Sequence, residues 1–194
     1  MGGPAAGILL PQVPDEDQIL ALRTWLGVIA RFHDTAANAD LREGWEFFLN
    51  WPESLGDEPS EGACLGGIQM YRIDPEAEHS GGSFLSPADW ARINEALGWM
   101  PACELSAWIN CNRQRDHKTL GWFCVALANR FSGVIDLGGA LPLPAREEWA
   151  RFDLGGNVLQ VQHDLDAGRT ASFHIVDVDF LRLWMLHPQF HMIK

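Results

Sequence analysis

The period of the apolar positions changes several times along the chain, and each change marks an element. From Asp15 to Val28, with Ile29 just beyond, the apolar residues Ile19, Leu22 and Leu26 recur at steps of three and four. That is the spacing of one helix face, and Asp15, Glu16 and Asp17 stand at its start, where the helix dipole is positive. Ser86-Pro87-Ala88-Asp89 puts a hydroxyl at the N-cap, proline at the first helical position and an acid at the third. A helix therefore begins there, buries Trp90, Ile93 and Leu97, and stops at Gly98. Asp116 is expected to cap a helix from His117 to Arg130 whose apolar residues surround most of its circumference, which predicts a central, buried helix. A short helix is expected near Ala145–Arg151. Asp177 caps a last helix over Val178–His187, closed by Pro188.

Between these segments the period falls to two. Glu104 to Asn112 alternates Leu105, Ala107, Ile109 and Cys111 with polar residues, with Trp108 interrupting the polar side, and reads as a half-buried strand. Gly62–Ile73 is a strand through Ile68, Met70 and Tyr71. Gly133–Gly139 is a short strand ending in a turn that Pro142 and Pro144 prevent from continuing. Val158–His163 and Thr170–Val176 form a hairpin, in which His163 and His174 are expected as a cross-strand pair. Helices and strands in mixed order with a hairpin predict a single α+β domain over 1–194, with a mainly antiparallel sheet packed with several helices. Doubly wound α/β is the alternative.

Charge changes this picture at one place. The formal net charge is −12, from 26 Asp and Glu against 14 Lys and Arg. Residues 40–78 alone carry ten acids against Arg42 and Arg72, inside a loop-rich segment at about 40–82. Nucleic acid and anionic membrane are disfavoured as partners, because both present phosphates. Trp45, Phe47, Phe48 and Trp51 are interleaved with those carboxylates, and aromatic anchors within a charged rim are how tight interfaces are built. Glu43, Glu46, Asp57, Glu58 and Glu61 are therefore the candidates for pairing with a basic partner, with Trp45 and Trp51 as anchors. A solvated acidic loop explains the same charges without a partner. Among the nine Trp, Trp25, Trp90, Trp122 and Trp184 fall on apolar helix faces and belong to the core, while Trp45, Trp51 and Trp108 have acidic or polar company.

No reaction is fixed by a motif. The glycine pairs lack the context of a phosphate-binding loop. Cys64, Cys103, Cys111 and Cys124 contain no CxxC, so reduced, buried thiols are expected and no metal or cofactor is implied. His187 and His191 are four apart, but Pro188 breaks their register. An enzyme would have to use Cys111 with His117 and Asp116, or His163 with His174. The first residues lack the basic start of an export signal, the apolar Ile8-Leu9-Leu10 is cut by Pro11, and the longest strongly apolar run, Trp122–Ala128, is far short of a bilayer span, so a cytoplasmic protein is expected.

Cys111-Asn-Arg-Gln-Arg-Asp-His-Lys-Thr-Leu120, the apolar helix after it, Phe131-Ser-Gly-Val-Ile-Asp-Leu-Gly-Gly-Ala-Leu141 and the closing block from Val176 to Lys194 resemble an uncharacterised family of small bacterial cytoplasmic proteins. That family is in turn similar to immunity proteins encoded beside secreted polymorphic toxins. The resemblance implies a binding role and supplies no binding residues. The expected function is thus occlusion of one cognate toxin, a basic protein acting on nucleic acid or nucleotide, without turnover. The alternatives are the Cys/His enzyme above and an adaptor that forms homodimers or larger homo-oligomers through exposed Trp.

Overall fold

The computed structural model describes residues 4–33, 40–50, 64–77, 85–110, 113–141, 155–164 and 169–192. Within them the chain runs β1 (Ala5–Leu10), α1 (Glu16–Ile29), β2 (Ala30–Phe32), β3 (Trp45–Leu49), β4 (Cys64–Arg72), α2 (Pro87–Leu97), β5 (Cys103–Ile109), α3 (Gln114–Phe131), β6 (Val134–Asp136), β7 (Val158–Asp164), β8 (Thr170–Val176) and α4 (Val178–Trp184). The strands form one eight-stranded sheet in the order β2-β3-β4-β5-β1-β6-β8-β7. Every pairing is antiparallel. This is a single α+β domain, as the order of periodic segments predicts.

Alternation along the strands separates two faces. On one, Leu22 and Leu26 of α1, Leu120, Phe123 and Leu127 of α3, and Phe180 and Trp184 of α4 bury Ile8, Leu10, Phe47, Ile68, Leu105, Ala107 and Ile135. Phe123 is fully buried there, stacked on Trp25 at 6.0 Å and edge-on to Phe47 at 5.6 Å. On the other face α2 packs alone among the described helices. Its Trp90 and Ile93 lie on Leu9, Val161, Phe173 and Ile175.

The helix starts obey local chemistry. Asp15 and Ser86 each close a reciprocal capping box, and Asp177 accepts from the Phe180 N–H at 2.8 Å. Gly98 ends α2 in the left-handed conformation. For α3 the expectation needs correcting. The helix starts at Gln114, and Asp116 is its third residue, accepting the Arg113 N–H at 2.7 Å. The last helix ends at Trp184, three residues earlier than expected. The expected helix at 145–151 lies outside the described residues.

Candidate functional site

The seven residues expected to meet a partner are placed differently from one another. Glu43, in the turn closed by the Glu43 N–H donating to the Asp40 carbonyl, and Glu46, on β3, are both exposed. Trp45 is 1% exposed. It points to the helix-covered face, edge-on to Phe32 at 6.0 Å and under the Arg23 guanidinium at 5.9 Å. The alternation of β3 turns Trp45, Phe47 and Leu49 inward, so Trp45 serves the core and presents no surface to a partner. Trp51, Asp57, Glu58 and Glu61 lie outside the described residues.

What β3 turns outward begins a different surface. Glu46 and Phe48 of β3, Leu65, Gln69 and Tyr71 of β4, and Ser106 and Trp108 of β5 share the sheet face opposite α1, α3 and α4. Trp108 pairs across the strands with Gly67. A Cβ on Gly67 would come within 2.1 Å of the indole, so only glycine lets that ring lie down on the sheet. The Tyr71 hydroxyl donates to Gln69 Oε1 at 2.6 Å, and Gln69 Nε2 donates to the Arg42 carbonyl at 2.8 Å, which ties this surface to the acidic turn before β3. Trp108, Phe48 and Tyr71 are all half-buried. Among the described residues no helix is seated on β3 and β4 from this side in the way α2 is seated on β7.

Farther along the same face, beside α2, lies a cavity of about 410 Å³. Glu104 and Ser106 of β5, Asp136 of β6 and His163 of β7 line it, with Ala5 and Gly7 of β1 and Leu85 and Phe173 as apolar walls. Gly7 pairs with Ser106 on one side and Asp136 on the other. The Glu104 carboxyl folds over Gly7, where its Oε1 would lie 2.9 Å from a Cβ. Glu104 is 6% and Asp136 8% exposed. Burial pushes the Asp136 carboxyl up to about 6, against the Gly138 N–H it accepts at 2.8 Å. Burial and then the charge of Glu104 push the Tyr71 phenol up.

His163 enters this cavity as the ring that Asp89 holds. Its Nδ1 is 2.7 Å from Asp89 Oδ2. Burial pushes the Asp89 carboxyl up, but hydrogen bonds from the Ser86 hydroxyl, the Ser86 N–H and His163 outweigh it and hold that carboxyl below its ordinary value. Arg92 bridges Asp89 and Asp164.

Of the two constellations an enzyme would need, that of His163 with His174 does not assemble, while that of Cys111 with His117 and Asp116 includes a residue outside the described ones. His163 pairs with Ala171, whereas His174 pairs with Gln160. The alternation therefore sends the two rings to opposite faces, and they are not a cross-strand pair. His174 Nδ1 accepts from the Leu141 N–H at 3.0 Å, and burial lowers its pKa. His117 Nδ1 accepts from the Met192 N–H at 3.0 Å and anchors the C-terminal segment to α3. Asp116 is buried, which pushes its carboxyl up; hydrogen bonds from the Cys64 thiol and from Arg113 outweigh this and hold it low. Cys111 lies outside the described residues. Burial raises the Cys103 and Cys124 thiols to about 12, so both are inert. No group of three or more His, Cys, Asp or Glu placed to hold a metal occurs among the described residues, and no described helix is long and apolar enough to cross a membrane.

The cavity residues escaped the sequence reading for a simple reason. Glu104 and Ser106 are visible as the polar side of an alternating strand, but only the register of β1 brings Asp136 beside them. Compared with known proteins, residues 2–194 match the model of a family of unknown function, DUF6368. The match spans far more than the C-terminal half that carries the resemblance noted above. No curated protein and no solved structure matches the chain.

Proposed function

We propose that this chain, which belongs to the DUF6368 family, is a binding protein that docks a basic protein partner on the open face of its sheet and acts by occlusion. The observation that carries the proposal is the position of Trp108. It lies on Gly67, whose other cross-strand neighbour is Glu46, in a stretch of sheet that no described helix covers, with Phe48 and Tyr71 on the same face and Glu43 exposed in the turn before β3. Half-buried aromatics inside an acidic rim suit a partner that brings Lys and Arg. A net charge of −12, with ten acids in residues 40–78, suits the same partner and repels phosphate-bearing ones. The aromatic anchor is thus Trp108 in place of the buried Trp45, and Glu43 and Glu46 keep the rim role.

The finer form of the proposal is that the partner is a secreted toxin domain and the chain its cytoplasmic immunity protein, with carboxylates standing where the toxin's anionic substrate would sit. The engagement of Asp116 and His117 in helix and tail contacts, and the separation of His163 from His174, favour binding over the two enzyme alternatives. The test is coexpression with the product of the adjoining reading frame. The proposal expects a stoichiometric complex and relief of growth arrest, both lost with the double variant Trp108→Ala and Glu46→Lys. An adjoining product that is not toxic, or a complex indifferent to both substitutions, would overturn it.

A further inference from the structure

We infer that the cavity over strands β1, β5, β6, β7 and β8, walled by Leu85 ahead of α2, is a binding site for a ligand carrying an ammonium or guanidinium group, held by Glu104 and Asp136 and faced by His163. Apart from Ser106, at the border of the two, its residues differ from those of the docking surface, so either proposal can fail without the other. The floor is made by an absence: Gly7 has no side chain, and the Glu104 carboxyl occupies the space above it. Asp136 is the cross-strand neighbour of Gly7 on the other side. Glu104 and Asp136 stand on strands either side of β1, and because the Glu104 carboxyl folds over Gly7, the cross-strand neighbour of Asp136, both carboxyls face the same part of the cavity. Two buried carboxyls lining one largely apolar cavity are costly to ionise there, and a cation beside them favours their charged forms.

The walls fit the rest of such a ligand. Leu85, Phe173 and Ala5 offer apolar contact for a methylene stem. Among the described residues no Lys or Arg lines the cavity. Asp89 engages His163 at Nδ1 and so fixes the ring, leaving Nε2 as its other nitrogen. A volume of about 410 Å³ falls in the range of small-molecule sites, about 300–1,000 Å³. The raised Asp136 supports the assignment, since a bound cation would favour its ionised form. The titratable groups that share the cavity with it are Glu104 from β5 and His163 from β7; β1 and β8 contribute no titratable side chain to the lining.

The purified full chain is titrated calorimetrically with agmatine, arginine and putrescine, with citrulline as the neutral counterpart of arginine, and with N-acetyl-arginine amide as a stand-in for a protein side chain. At least one of the cations is expected to bind, citrulline at least tenfold more weakly than arginine. Glu104→Gln and Asp136→Asn, which keep the shape and one acceptor oxygen while removing the charge, are each expected to weaken binding about tenfold or more. Affinity should rise from pH 5 to pH 7. Tighter binding of N-acetyl-arginine amide than of agmatine identifies a protein side chain as the ligand, and the reverse order identifies a free amine. Trp108→Ala should leave these affinities unchanged. If none of the cations binds at millimolar concentration, if citrulline matches arginine, or if both variants bind like the parent with their fold intact, the assignment is wrong.

Discussion

The two faces of one sheet carry opposite chemistry although they are built from the same strands. The face under α1, α3 and α4 is closed: Ile8, Leu105, Ala107 and Ile135 are all fully buried. The other face holds Glu46, Gln69, Tyr71, Glu104, Ser106, Trp108 and Asp136, with glycine beneath the two largest features, the Trp108 ring and the Glu104 carboxyl. Alternation alone imposes the division, since neighbouring residues on a strand point to opposite sides. The face under α1, α3 and α4, with the smaller apolar cluster under α2, therefore accounts for stability, and the part of the other face that α2 leaves open is free to hold groups that stability does not require.

The largest way to break that contrast is to remove a ring from each side. Phe123→Ala should cost about 3–5 kcal/mol, because Trp25 and Phe47 enclose the ring it deletes. Trp108→Ala should cost less, roughly 1–2 kcal/mol, since its ring is only partly buried and lies against Gly67, where there is no side chain to lose contact with. Equal losses in urea unfolding would mean that the open face is structural after all.

Next in size is Asp136. Its folded pKa of about 6 lies above the ordinary 3.8, so the folded state favours the protonated acid. That contribution is complete below about pH 4 and is lost as the pH rises through 6, leaving the buried carboxylate costing roughly 3 kcal/mol at neutral pH. Asp136→Asn should therefore stabilise the protein by up to this amount at pH 7.5 and hardly at all at pH 4. A gain independent of pH would show that ionisation is not the reason.

Smaller still is Asp89→Asn. It weakens the cap of α2 and the bond that orients His163, and should cost about 1–2 kcal/mol. The hydrogen bonds that hold the Asp89 carboxyl low contribute stability above its ordinary pKa, which is lost as the pH falls through the folded value. The deficit of the variant should accordingly shrink in acid, as thermal unfolding between pH 7 and pH 3 can follow. Glu46→Lys, on the exposed side of β3, should move stability by less than about 0.5 kcal/mol while reversing the charge offered to a partner.

Much of this architecture is legible before any coordinates. The starts of α1 and α2, the end of α2 and the β7–β8 hairpin follow from caps and periods confined to a few residues. Three strands are not. In β1 the glycine and alanines dilute the apolar signal, and Pro11 makes Ile8-Leu9-Leu10 look like an isolated fragment. In β3 the inward series Trp45, Phe47 and Leu49 has period two, but Phe48 on the outward side hides it, and the dense carboxylates suggest a loop. The three residues of β2 are too few to show a period. The site suffers more than the fold, because a cavity is a product of register: β1 lies between β5 and β6, and nothing local to Gly7, Glu104 or Asp136 announces that they meet. Trp108 was visible as an aromatic in polar company, yet its weight comes from Gly67, which is distant in sequence.

The most direct test of the open face is a calorimetric titration of the parent chain and Trp108→Ala with the product of the adjoining reading frame, at about 50 mM and about 500 mM salt. The account predicts that high salt weakens the parent complex at least tenfold and that Trp108→Ala loses about 2 kcal/mol or more of binding at either salt. Affinities that are the same at both salts and unaffected by the substitution would contradict it.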